Sequence, residues 1–186
     1  RKYNQIIGFA TEDIAARGHL HVHNMEMQTF ERDYAHSTEA HATDFVPLGN
    51  QATFQGFRRD NGKVATRNYI GVLTSVNCSA TVARYIAESV NRSILGDYPN
   101  IDGVVACVHG TGCGMADSGD GYANLQRTLW GYARHPNFAG VLIVGLGCEV
   151  NQIPFLLDAY GLELNDTFQT MTIQEAGGTR KTVDQA

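Results

Sequence analysis

From residue 69 onward, short apolar segments alternate with amphipathic ones, and this alternation constrains the fold more than any other feature. Apolar segments of this length are typical of strands that are buried on both faces. They lie at Tyr69–Val76, Gly103–Val108, Gly140–Leu146 and Phe168–Ile173. We predict helices after Ser79, which is placed to cap the first of them, and over Tyr122–Ala133 and Ile153–Tyr160. The alternation predicts an α/β fold with an open, mostly parallel sheet of Rossmann-like topology.

The region before residue 69 has a different character. Tyr3–Ala10 and His19–Met25 have the alternation of short strands, and the Asn61-Gly62 dipeptide predicts a hairpin further along the chain. Between them lies a polar stretch without periodicity, which predicts a linker. The chain is thus divided into a small β-rich segment (1–30), a linker (31–53) and an α/β domain (54–186).

Composition excludes several classes of protein. Of the 186 residues, 43% are hydrophobic, which is enough for a buried core and excludes wholesale disorder. The net charge of −5 argues against nucleic acid or an anionic membrane as the main partner, because both are bound by basic surfaces. No apolar run is long enough to span a membrane. The chain starts at Arg1 without a secretory signal, so we expect part of a longer, cytoplasmic polypeptide with its four cysteines reduced.

Cysteines follow the first three predicted strands of the α/β domain. Cys78, Cys113 and Cys148 are evenly spaced, one strand–helix unit apart. Ligands of open α/β sheets bind beyond the carboxyl ends of the strands, so the thiols converge on one crevice if these strands are neighbours. Helix N-termini nearby favour thiolate, and three thiolates can hold a soft metal or an iron–sulfur cluster. The alternative is that each of the three is a small buried residue at a tight turn. Cys107 lies within a predicted strand, so we expect it in the core.

Three other side chains are candidates for the chemistry of this crevice. His109 is either a general acid/base or metal ligand, or a hydrogen-bonded histidine at a strand end. Glu149 either accepts a proton or binds metal, or is an ordinary acidic residue in the first turn of a helix. Arg67 could bind a substrate carboxylate, although a surface arginine after a hairpin is the simpler interpretation.

Three histidines, His19, His21 and His23, alternate along a predicted strand. On a strand they would share one face, about 7 Å apart, and could chelate a divalent metal with one further ligand. Spacing alone favours the alternative, in which the histidines are solvated and Leu20 and Val22 pack inward.

Known nucleotide and nucleophile motifs are weak or missing in the sequence. Gly145-Leu146-Gly147 follows a strand and precedes a helix, as a dinucleotide-binding loop does, but Val150 replaces the third glycine of that motif. The sequence has neither a P-loop nor a nucleophile elbow.

Several stretches occur in a specific order along nearly the whole chain. They are Gly18-His19-Leu20-His21-Val22-His23-Asn24, Gly56-Phe57-Arg58-Arg59-Asp60-Asn61-Gly62-Lys63-Val64-Ala65-Thr66-Arg67-Asn68, Thr74-Ser75-Val76-Asn77-Cys78-Ser79, His109-Gly110-Thr111-Gly112-Cys113-Gly114, His135-Pro136-Asn137 with Gly145-Leu146-Gly147-Cys148-Glu149, and Gln174-Glu175-Ala176-Gly177-Gly178-Thr179. This set resembles the altronate/galactarate dehydratase family of sugar-acid hydro-lyases. The resemblance implies the end of a β-rich SAF domain, a linker and a Rossmann-like second domain, with a C-terminal region of the same polypeptide as a partner.

The resemblance also implies an activity and a cofactor. The expected reaction removes water from a sugar acid, an altronate-like aldonate or a galactarate-like aldarate, to give a 2-keto-3-deoxy acid. The expected metal is Fe²⁺, with Mn²⁺ or an iron–sulfur cluster as alternatives. Its candidate ligands are Cys78, Cys113, Cys148, His21 and His23.

The remaining expected roles come from the positions of the residues and from the chemistry of this reaction. His109 and Glu149 are the candidates for proton transfer, and Arg67 and Asn77 are those for substrate binding. A homo-oligomer is a further expectation. Two alternatives stay open: a non-catalytic substrate-binding or assembly module of a larger enzyme, and a nucleotide-binding Rossmann domain that uses Gly145 and Gly147.

Overall fold

The computed structural model describes residues 6–31 and 35–186, and the chain divides into two compact units between Gln51 and Ala52. In the first unit, β1 (Phe9–Ala10) and β2 (Met25–Glu26) form a short antiparallel pair. Of the predicted strand over Tyr3–Ala10, residues 3–5 lie outside the described residues, residues 6–8 have no regular structure, and Phe9–Ala10 form a strand. The described part of the predicted linker has little regular structure apart from a 3₁₀ turn at Leu48–Asn50.

The predicted strand over His19–Met25 is wrong for residues 19–24, which are irregular at 19–21 and form a turn at 22–24. The cause is Asn24, whose buried side chain accepts a hydrogen bond from the His21 N–H at 3.0 Å and donates one to the His19 carbonyl at 2.9 Å. An asparagine that bonds nearby backbone in this way competes with strand pairing. Leu20 and Val22 are exposed rather than packed inward.

The second unit begins with the predicted hairpin. Strands β3 (Phe57–Arg58) and β4 (Val64–Ala65) pair antiparallel. The turn between them is closed by a hydrogen bond of 2.8 Å from the Arg59 N–H to the Lys63 carbonyl. Gly62 has a φ of 80°, a conformation that glycine adopts without strain, so the Asn-Gly signal is confirmed.

A four-stranded parallel sheet forms the centre of the second unit. Its strands are β5 (Tyr69–Thr74), β6 (Gly103–Cys107), β7 (Phe138–Gly145) and β8 (Phe168–Thr172), in the order β6-β5-β7-β8. The helices are α1 (Ala80–Ser93), α2 (Asp120–Ala133), α3 (Ile153–Tyr160), α4 (Ile173–Ala176) and α5 (Thr179–Gln185). All neighbouring strands in this sheet pair parallel, which confirms the predicted α/β class.

Both faces of the sheet are covered by a hydrophobic core. Adjacent residues of a strand face opposite sides, so Val72 packs in the cluster with α1 and Leu73 packs in the cluster with α2 and α3. In β7, Val144 packs in the same cluster as Val72, and Ile143 packs in the same cluster as Leu73. Burial on both faces explains why the inner strands β5 and β7 are almost continuously apolar. This covering leaves the ends of the strands as the places where polar groups can gather.

The predicted cap of α1 is wrong in its detail. Ser79 is the N-cap residue, but its hydroxyl donates to the carbonyls of Val76 at 2.9 Å and Val144 at 2.7 Å rather than accepting from the helix. The serine therefore links the turn after β5 to β7. No helix in residues 6–31 and 35–186 combines the length and apolarity needed to cross a membrane.

Candidate functional site

The three cysteine-bearing loops lie side by side at the carboxyl end of the sheet. Cys78 lies in the 3₁₀ turn after β5, Cys113 in the loop after β6 and Cys148 in the loop after β7. Since β5 is hydrogen-bonded to both β6 and β7, the condition for convergence is met. All three thiols are free and exposed. We call this group of three side chains the thiol crevice.

Backbone hydrogen bonds fix the loops of the thiol crevice against one another. The Asn77 N–H donates to the Thr111 carbonyl at 2.7 Å, which joins the loops after β5 and β6. The Val150 N–H donates to the Cys113 carbonyl at 3.3 Å, which joins the loops after β6 and β7. The positions of the thiols are therefore set by main-chain contacts and not only by side-chain rotamers.

Gly112 permits the closest of these approaches. Its φ is 101°, and a Cβ at this position would lie 2.4 Å from the Ser75 carbonyl oxygen and 2.9 Å from Val76 Cα. Only glycine adopts this φ without strain, and only glycine lacks the Cβ that would collide with these atoms. The loop that carries Cys113 can thus lie directly on the end of β5.

The thiols interact with one another. The pKa of Cys113 is raised, first by a hydrogen bond with Cys78 and then by the charge of Cys78, with smaller effects of desolvation and of the charges of Cys148 and Glu149. Helix N-termini were expected to favour thiolate here, so for Cys113 that expectation is wrong. The predicted convergence of the cysteines is supported by this mutual influence.

Convergence of the thiols does not by itself make a metal site. In the described part of the chain, no group of three or more His, Cys, Asp or Glu side chains is arranged to hold a metal ion as it stands. The chemistry of the donors nevertheless fits a soft cation, because thiols give up their protons on binding one and thiolate sulfur is a soft ligand. The metal prediction therefore stays a prediction.

Glu149 is a buried carboxylate at the end of β7. It accepts hydrogen bonds from the Ser75 hydroxyl at 2.6 Å, the Leu146 N–H at 3.1 Å and the Gly147 N–H at 2.6 Å. Burial alone would raise its pKa, but the bonds from Ser75 and from the loop N–H groups outweigh desolvation and lower it. Glu149 is therefore an ionised anchor of the loop that carries Cys148, and its oxygens are already engaged.

The same geometry bears on the nucleotide-binding alternative. In a dinucleotide-binding loop, backbone N–H groups and glycines leave room for a phosphate. Here the N–H groups of Leu146 and Gly147 already donate to Glu149, and a Cβ at Gly145 would lie 2.5 Å from its carboxylate. An internal anion thus takes the place that a phosphate would need, so the loop geometry argues against that alternative.

Asn151 ties together all three cysteine-bearing loops. It is fully buried in the loop after β7, its Nδ2 donates to the Ser75 carbonyl at 2.9 Å, and its N–H donates to the Gly112 carbonyl at 3.2 Å. Its Oδ1 is buried without a protein partner. The roles of Asn151 and Ser75 were not predicted from the sequence, because the hydrogen bond between them joins positions 76 residues apart.

Both ring nitrogens of His109 are engaged. Nε2 is 2.8 Å from the Thr74 carbonyl and therefore carries the proton, since a carbonyl only accepts. The Thr111 N–H donates to Nδ1 at a longer distance of 3.3 Å. His109 thus links the ends of β5 and β6, as its alternative interpretation predicted. A part in proton transfer, which is untested, would require one of these bonds to open.

The other predicted site residues lie in different places. Asn77 is exposed in the same 3₁₀ turn as Cys78. Arg67 precedes β5 and so lies at the amino end of the strands, away from the cysteine-bearing loops, where it is 3.8 Å from Asp102. The structure therefore does not bring Arg67 to the thiol crevice.

The three histidines of the first unit gather without forming a strand. The ring centroids of His19 and His21 are 5.6 Å apart, and those of His21 and His23 are 6.4 Å apart. All three side chains are exposed. Metal binding by His21 and His23 stays a prediction.

A polar cleft of about 300 Å³ adjoins the thiol crevice between the ends of β7 and β8. It is lined by Gly147, Glu149, Gln152, Ile153, Pro154, Thr172, Gln174 and Glu175. Gln174 connects the two features, because its Nε2 donates to Cys148 Sγ at 3.3 Å. The cleft was not predicted from the sequence, since its lining comes from two separate strand ends.

Comparison with known proteins agrees with the sequence resemblance. Residues 56–186 match the second domain of the family described as D-galactarate dehydratase/altronate hydrolase. The altronate dehydratase of Bacillus subtilis (strain 168) is 35% identical over 159 residues, and that of Escherichia coli (strain K12) is 35% identical over 163 residues. These alignments cover 85% and 86% of this chain.

A third relative acts on a different sugar acid. The galactarate dehydratase (L-threo-forming) of Escherichia coli (strain K12) is 31% identical over 125 residues, which cover 67% of this chain and 23% of that protein. The chain spans about a third of the length of the two altronate dehydratases, 31% and 32%. The match to the second domain covers most of the chain and includes all three cysteines of the thiol crevice. The chain therefore belongs to the D-galactarate dehydratase/altronate hydrolase family and contains the second domain of that family.

Proposed function

We propose that the complete protein is a hydro-lyase that dehydrates a sugar acid, and that this chain supplies the thiol crevice of its active site. The substrate is an altronate-like aldonate or a galactarate-like aldarate, and the product is a 2-keto-3-deoxy acid. The altronate dehydratase relatives, which cover more of the chain than the galactarate dehydratase does, favour the aldonate. The free cysteines support a reducing, cytoplasmic setting.

The observation that carries the proposal is the arrangement of three exposed thiols at the carboxyl end of a parallel sheet. Cys78, Cys113 and Cys148 come from three neighbouring strands, and Cys113 interacts with both of the others. Ligand sites of open α/β sheets occur at this edge. We propose that these thiols hold Fe²⁺, with Mn²⁺ or an iron–sulfur cluster as the alternatives. When bound, such a group supplies a Lewis acid that polarises the carboxylate and 2-hydroxyl of the substrate.

The reaction removes a proton from C2 and a hydroxyl from C3, and the resulting enol tautomerises to the 2-keto acid. We propose that His109 carries a proton through Nδ1, whose bond of 3.3 Å to the Thr111 N–H is the longer of its two contacts. Asn77, exposed at the rim, is the proposed hydrogen-bond donor to the substrate. We assign Glu149 to positioning, because a carboxylate with three donors and a lowered pKa is a poor base.

The test compares two cysteine variants of the complete protein, purified without oxygen. Cys113→Ser should remove bound iron and abolish dehydration of altronate, because it takes away the thiol that interacts with both of the others. Cys107→Ser is the matched control, since Cys107 lies in β6 against the hydrophobic core. The measurements are elemental analysis, the iron spectrum and the rate of 2-keto acid formation. Unchanged metal content and rate in Cys113→Ser would dismiss the thiol crevice as the metal site.

A further inference from the structure

The polar cleft beside Cys148 has the size and lining of a ligand site. Its volume is about 300 Å³, within the range of small-molecule sites. Gln152 and Gln174 contribute amides, which both donate and accept, and Thr172 contributes a hydroxyl. Ile153 and Pro154 add an apolar surface. Amides beside a short apolar surface suit a ligand that alternates hydroxyl groups with C–H groups.

Charge distinguishes which end of a sugar acid the cleft can take. Glu149 and Glu175 both line it, and none of the described residues that line it is basic. Glu149 is held ionised by the hydrogen bonds described above. A substrate carboxylate is repelled from such a site, whereas hydroxyl groups can donate to carboxylate and amide oxygens. The cleft is therefore matched to the uncharged, hydroxylated end.

Gln174 is held between the cleft and the thiol crevice. Its backbone N–H donates to the Leu146 carbonyl at 3.0 Å, and its side-chain amide donates to Cys148 Sγ at 3.3 Å. Gly147, with a φ of 121°, makes room for it, because a Cβ there would lie 2.6 Å from Gln174 Oε1. A molecule that extends from the thiols past Gln174 enters the cleft directly.

We propose that this cleft binds the hydroxylated tail of the sugar acid, with the amides of Gln152 and Gln174 as the groups that select for chain length. The inference rests on the proposed function, since it assumes that the carboxylate end of the substrate lies at the thiol crevice. Gln152 provides the cleaner test of the two, because Gln174 also contacts Cys148.

The experiment measures kcat/KM of the complete protein for two substrates, altronate and the three-carbon 2,3-dihydroxy acid glycerate. Glycerate has the reacting carbons but no tail. The wild-type protein should prefer altronate, and Gln152→Leu should lower kcat/KM for altronate by about 3- to 10-fold, the loss of one neutral hydrogen bond. The kcat/KM of Gln152→Leu for glycerate should stay within about 2-fold of the wild-type value. Misfolding would lower the values for both substrates, so a loss confined to altronate indicates contact with the tail.

The matched control is Gln169→Leu, because Gln169 is exposed on β8 and does not line the cleft. This variant should keep the preference of the wild-type protein. A wild-type protein that dehydrates altronate while Gln152→Leu keeps the same altronate-to-glycerate ratio would overturn the cleft inference alone. A wild-type protein that dehydrates neither acid would overturn the proposed function and the cleft inference with it.

Discussion

Replacing Glu149 by glutamine removes a negative charge from the loop between β7 and α3 with almost no change in side-chain size. The carboxylate accepts bonds from the Ser75 hydroxyl and from the N–H groups of Leu146 and Gly147. A glutamine Oε1 can still accept from Ser75 and Leu146. Its Nε2, however, would face the Gly147 N–H, so that two donors oppose each other across a distance of 2.6 Å.

The size of the effect follows from these contacts. Hydrogen bonds to a charged group contribute about 1.5–3 kcal/mol, neutral ones about 0.5–1.5 kcal/mol, and a buried donor left unpaired costs about 1–3 kcal/mol. We expect Glu149→Gln to lower the free energy of unfolding by about 3 kcal/mol at pH 7. With a urea slope of about 2 kcal/mol per molar, the unfolding midpoint falls by about 1.5 M.

The effect has a defined pH dependence. The pKa of Glu149 is lowered in the folded protein from its ordinary value of 4.5. Its ionised form therefore stabilises the fold fully above about pH 5, and this contribution is lost as the pH falls through the lowered folded pKa. The difference in stability between the wild-type protein and Glu149→Gln should be constant from about pH 6 to 8 and shrink in acid.

The assay is urea unfolding followed by circular dichroism between pH 3 and pH 8. Glu163→Gln is the matched control, because Glu163 is exposed and accepts the Asn165 Nδ2 hydrogen bond through its backbone carbonyl, which the substitution keeps. That variant should differ from the wild-type protein by less than about 0.5 kcal/mol. If Glu149→Gln unfolds at the same urea concentration as the wild-type protein at pH 7, the anchoring role of the carboxylate is refuted.

Two further predictions concern the packing around the site and in the core. Gly112→Ala should destabilise the second unit by about 2 kcal/mol or more, because the alanine Cβ would collide with backbone atoms of the loop after β5. The displaced loop should also slow the bridging of Cys78 and Cys113 by a dithiol-specific arsenical. Gly114→Ala, which has free space around it, should change neither the urea midpoint nor the arsenical rate. Leu156→Ala should lower the free energy of unfolding by about 2–5 kcal/mol, since Leu156 is a fully buried residue of α3 that packs in the core, and equal stability would contradict the assigned core.

Local patterns in the sequence predicted most of the second unit. The apolar segments and the Asn61-Gly62 turn depend on neighbouring residues, so their physical causes are visible in a short window of sequence. The same kind of pattern failed at residues 19–24. There the alternation of histidines suggested a strand, but the side chain of Asn24 forms hydrogen bonds with the His21 N–H and the His19 carbonyl, which are therefore not free to pair with a neighbouring strand.

Chain order by itself determined that three cysteines follow three strands, one strand–helix unit apart, and that these strands are parallel. Only the tertiary structure decided that β5 lies between β6 and β7, which is what brings the thiols together. It also decided that Glu149 is an anchor rather than a free base, because its charge is held by Ser75, 74 residues away in the chain. Burial and hydrogen bonding between such distant positions depend on how the strands are ordered, and no local pattern carries that order.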